Sequence, residues 1–68
     1  MKLDEMIIGA QNCLVWAEAS IKQERLDKAS AELSNAREYI NELRLVGEIP
    51  YNILSSLKNQ LKKLQARV

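Results

Sequence analysis

The sequence predicts an all-α fold, an antiparallel three-helix bundle, on three observations. Apolar residues recur at steps of three and four in three successive stretches, the period of a helix with one buried face. Two of those stretches match each other layer by layer when the chain is folded back on itself. Gly47 and Pro50 then punctuate the boundary before the third. Composition agrees: 47% of the 68 residues are apolar and 28% charged, with two Gly, one Pro and no Phe, a helix-forming mixture. The whole of 1–68 is expected to be a single helical domain.

The first helix is expected over about 3–22. Its stripe is Leu3, Ile7, Ala10, Leu14, Ala17 and Ile21, and Asp4 and Glu5 fall in the first turn, where the helix dipole favours negative charge. Gly9 weakens it by up to about 1 kcal/mol relative to Ala. After Ile21 the stripe resumes only at Leu26, a step of five that breaks the helical phase. A break near Lys22–Arg25 follows, although no Gly or Pro marks it.

The second helix is expected over about 26–46, with the stripe Leu26, Ala29, Leu33, Ala36, Ile40 and Leu43. Folding back near Gln23–Glu24 pairs Ile21 with Leu26, Ala17 with Ala29, Leu14 with Leu33, Ala10 with Ala36, Ile7 with Ile40 and Leu3 with Leu43. Large meets large and small meets small in every layer, and the alanines let the two backbones approach closely. The spacing of Ala17–Ile21, Leu26, Ala29, Leu33, Ala36 and Ile40 resembles that of a tetratricopeptide-type helix pair. The aromatic and glycine signature positions are missing and the pattern does not repeat, so the spacing is read as a product of close antiparallel packing. Two long helices from two chains would make the same pairs. The alternative architecture is therefore a long-helix hairpin forming an antiparallel dimeric bundle.

Gly47 ends the second helix and Pro50 is expected as the first residue of the third, over about 50–67. Its stripe is Leu54, Leu57, Leu61, Leu64 and Val68, widened by Ile53. Similar helix lengths and short links favour an up-down-up bundle over the long-helix form.

Several functions are disfavoured by residue type. There is no His, and Cys13 is the single cysteine, which excludes an intrachain disulfide and zinc sites built on Cys and His. No phosphate-binding glycine loop or cation-binding carboxylate spacing occurs. No catalytic, cofactor-binding or metal-ligating residue is expected, and no enzyme activity. No apolar run approaches the ~18 residues that span a bilayer, and the acidic residues near the start do not suit a signal peptide. A cytoplasmic protein with no membrane partner and no small-molecule substrate is the expectation.

Two surfaces remain. The first helix carries Ile8, Val15 and Trp16 away from its main stripe, more apolar circumference than a three-helix bundle needs, and Trp is the side chain most enriched at binding hot spots. With Tyr39 and Tyr51 near the second link, these are the candidate protein interface. The partners expected are a second copy of the chain, another protein, or both. The other surface is basic. Residues 1–50 carry six Lys/Arg against nine Asp/Glu, a net −3, whereas 51–68 carry four Lys/Arg and no acid, a net +4. Arg44, Lys58, Lys62, Lys63 and Arg67 are the candidate contacts for nucleic acid. The leading expectation is a small, non-enzymatic, self-associating interaction module, an adaptor, chaperone-like subunit or regulator of a larger assembly. The alternative is a small nucleic-acid-binding regulator.

Overall fold

A computed structural model describes residues 2–68. These form three helices, α1 (Leu3–Lys22), α2 (Leu26–Val46) and α3 (Tyr51–Gln65), which pack into an antiparallel bundle with no strand among the described residues. The core gathers Met6, Ala10, Leu14 and Ala17 of α1, Leu33, Ala36, Ile40 and Leu43 of α2, and Leu57, Leu61 and Leu64 of α3. The α1–α2 contact is the most extensive, and α3 rests more on α2 than on α1, so α2 is the middle member.

The break between α1 and α2 has a specific chemistry. The N–H of Arg25 donates to the Ser20 carbonyl at 2.8 Å and that of Glu24 to the Ile21 carbonyl at 3.0 Å. These are the paired 6→1 and 5→2 bonds of a Schellman motif, which satisfy carbonyls that the helix end would otherwise leave open. The motif needs a left-handed residue, and Glu24 supplies it with φ 60. A non-glycine residue held there costs roughly 1–2 kcal/mol. The chain reverses in three residues without Gly or Pro because two hydrogen bonds and the helix packing beyond them offset that strain.

Gly47 does the same work at the end of α2, with φ 74 and its N–H donating to the Leu43 carbonyl at 3.1 Å.

Three expectations are corrected. Leu26 is 48% exposed, so the Ile21–Leu26 layer is not core. The reason is the length of α3: it ends at Gln65, and the segment up to Val68 reaches only the level of Ser30 and Ser34, leaving Leu26 a turn beyond any cover. Pro50 precedes α3 as its cap, with ψ 137, and its carbonyl accepts the first bonds of the helix from Ile53 and Leu54. The other end of α3 tightens into three-residue turns, Arg67 N–H to Leu64 O and Val68 N–H to Gln65 O, so α3 is 15 residues long and Val68 is exposed. Lastly, α1 is turned relative to its expected stripe. Met6, Cys13 and Ser20 are buried, whereas Leu3, Ile7 and Ile21 are half-buried. Two contacts from α2 close that edge: Tyr39 packs over Gly9, and the Ser20 hydroxyl donates to a Glu32 carboxylate oxygen at 3.3 Å.

Replacing Glu24 by Gly removes the left-handed strain and is expected to stabilise the protein by up to about 1 kcal/mol after the extra freedom of the unfolded chain is subtracted. A rise in the urea midpoint at unchanged slope is the signature. Leu33→Asp and Leu57→Asp each place an unpartnered charge in the core and are expected to abolish cooperative melting of the helical circular-dichroism signal.

Candidate interaction surface

Once the bundle is closed, Ile8, Val15 and Trp16 remain 54%, 61% and 55% exposed. Neither α2 nor α3 reaches the back of α1. At 3.6 residues per turn, Ile8, Asn12, Val15 and Ala19 fall within about 60° of one another, stepping by four, three and four. That is a second helical stripe on the face opposite the core, and all four of its residues are exposed.

The two edges of this stripe differ. Val15 borders the side covered by α3, where Glu18 of α1 faces Gln60, Lys63 and Arg67. Trp16 lies about 100° further round the helix. It borders a shallow groove between α1 and α2 whose rim carries Asn35, Glu38 and Glu42 and whose floor includes Cys13. Adjacent in sequence, Val15 and Trp16 thus flank opposite edges of one outer face.

The two tyrosines do not join them as expected. Tyr39 is half-buried because its ring occupies the space left by Gly9: a Cβ built on Gly9 would lie 2.8 Å from Tyr39 Cζ and 2.9 Å from Cε1. Gly9 is therefore a point of close approach as well as a weak helix residue. Tyr51 is almost fully exposed at the start of α3 and lines only a depression on the outer surface of that helix, with Ser55, Asn59 and Lys63. The Gly9–Tyr39 contact was within reach of the pairing rule, since the two positions sum to 48, one beyond the layers used. Ser20–Glu32 had no comparable signal.

The basic candidates are dispersed. Lys63 and Arg67 face the α1 side of α3. Lys58 and Lys62 lie about 100–180° away from them around the helix. Arg44 is in the last turn of α2, at the opposite end of the bundle from Arg67, because α3 runs back along α2. Sequence inspection missed Arg37, which lines the α2–α3 groove beside Gln65 and Val68. Among the described residues the one ion pair is Lys22–Glu18, within α1 at 3.7 Å and on the surface, so Lys58, Lys62, Lys63 and Arg67 make no ion pair.

Cys13 is buried, and burial, then the nearby Glu32 carboxylate, pushes its thiol above the ordinary value. Both influences favour the protonated thiol, the opposite of what activates a cysteine nucleophile. Among the described residues no three His, Cys, Asp or Glu side chains gather as a metal site, and no helix is long and apolar enough to cross a membrane. No family model matches the chain, and neither a curated protein nor a solved structure matches it.

A double-mutant cycle tests the Gly9–Tyr39 contact. In a Tyr39→Ala background, Gly9→Ala is expected to stabilise by about 1 kcal/mol, the helix-propensity gain. With Tyr39 present that gain is expected to vanish or reverse, a coupling of at least about 0.5 kcal/mol by urea denaturation. An equal gain in both backgrounds would show that the ring does not depend on the missing Cβ.

Proposed function

We propose that the protein is a small, non-enzymatic, cytoplasmic interaction module that self-associates and serves as an adaptor, chaperone-like subunit or regulator of a larger assembly. The observation that carries this reading is the outer face of α1, where Ile8, Val15 and Trp16 stay exposed after all three helices have packed. Scattered surface apolar residues need no explanation, but a contiguous helical stripe bordered by a Trp is the kind of patch that marks association. The mechanism would be helix-on-helix docking, with Val15 and Trp16 as anchors.

Light scattering and Trp16 quenching across a concentration series test it. The expected result is a rise in mass from low to high micromolar, accompanied by loss of acrylamide access to Trp16. A strict monomer throughout, with Trp16 equally quenched at every concentration, would overturn self-association.

A second reading is nucleic-acid binding through Lys58, Lys62, Lys63, Arg67 and Arg44, and what favours it is that none of these cations is engaged in an ion pair among the described residues. Such binding would weaken steeply with salt. Absence of salt-dependent binding to generic DNA or RNA at low ionic strength would remove it.

A further inference from the structure

We infer that the outer face of α1 binds the same face of a second copy, as a two-fold antiparallel helix pair in which facing residue numbers sum to 27. The inference rests on the self-association reading and gives it a surface, an orientation and a register.

The stripe Ile8, Asn12, Val15, Ala19 has the alternating three-and-four spacing of a coiled-coil seam, and its continuation at each end is charged: Glu5 before it, Lys22 after it. In an antiparallel pair about a two-fold axis, each residue meets the position equally far from the midpoint on the other helix. With the midpoint between Cys13 and Leu14, Ile8 faces Ala19 of the second copy and Asn12 faces Val15. The outermost layer sets Glu5 against Lys22, and symmetry makes that ion pair twice. All six of these positions are exposed on α1; Lys22 pairs there with Glu18 at 3.7 Å, a surface contact worth under about 1 kcal/mol that Glu5 of the second copy would share.

Other arrangements of the same face are poorer. Sliding one heptad in either direction faces Glu5 with Val15, or Lys22 with Asn12, and breaks both ion pairs. A parallel pair in register sets Glu5 against Glu5 and Lys22 against Lys22, which repels at both ends. The size match is also specific, because the largest aliphatic residue of the stripe, Ile8, meets the smallest, Ala19. The two Asn12 side chains lie about 4.5 Å apart along the axis, three residues at 1.5 Å each, where they can hydrogen-bond across the two-fold. A polar residue in a seam costs stability and selects register. One helix pair of this length buries less than the ~1,200 Å² of a standard interface, so the dimer is a weak one.

The test uses the full chain in sedimentation equilibrium, with melting curves to confirm that each variant is folded. E5K and K22E are each expected to lower the dimerisation constant about tenfold or more, since each faces two pairs of like charge. An equimolar mixture of the two is expected to recover dimer, because the heterodimer restores both opposite-charge pairs. V15D, at a position exposed in the monomer, is expected to remain folded and monomeric. A wild-type protein that stays monomeric would overturn this inference and self-association together. A wild-type dimer that V15D leaves intact overturns the α1 face alone, as a dimer made by exchanging helices through the Gln23–Arg25 turn would. A dimer lost in V15D but unchanged in E5K and K22E, or not recovered in the mixture, overturns the antiparallel register.

Discussion

The rest of the structure depends on the close approach of α1 and α2. Ala10, Ala17, Ala29 and Ala36 are all without solvent exposure, two from each helix, and they alternate with layers filled by Leu14, Leu33 and Ile40. Small residues at heptad spacing let the two backbones approach closely. The third helix lies along one side of this pair, leaning on α2. Everything left on the far side of α1 is then open.

That geometry explains why so apolar a helix shows so much of itself. A helix in a three-helix bundle has two neighbours and one solvent face. α1 satisfies both neighbours with its main stripe and with Met6 and Cys13, and still presents Ile8, Val15 and Trp16 outward. Folding alone gives no reason for those three side chains, because polar residues there would leave the core contacts unchanged. The charges flanking the stripe, Glu5 and Lys22, sit in the first and last turns where the dipole also favours them. One pair of residues can thus serve the isolated helix and a helix–helix contact.

The joints of the bundle are weaker than its faces. None of the three helices has a side-chain cap at its start, the α1–α2 reversal holds Glu24 in a left-handed conformation, and α3 tightens at its end. Between α1 and α2 the one side-chain hydrogen bond is Ser20 to Glu32. Stability therefore resides in apolar burial and close packing, with polar interactions contributing little.

Much of this was legible in the sequence because a helix writes its buried face at a fixed period. The stripes located all three helices, the five-residue slip located a turn that no Gly or Pro signals, and pairing large with large across the fold-back selected the partner faces. The excess apolar surface of the first helix, with Ile8, Val15 and Trp16 on it, was readable in the same way. What a period cannot carry is the rotation of a helix about its own axis or the distance to which the next one extends. Met6 rather than Ile7 is buried, Tyr39 fills the space over Gly9, and Leu26 is exposed because α3 stops short of it. Tyr39 and Tyr51, which lie either side of one link in the chain, part company because one finds a gap on α1 and the other begins a helix at the surface. Those outcomes depend on contacts between residues far apart in the chain, and only the tertiary structure decided them.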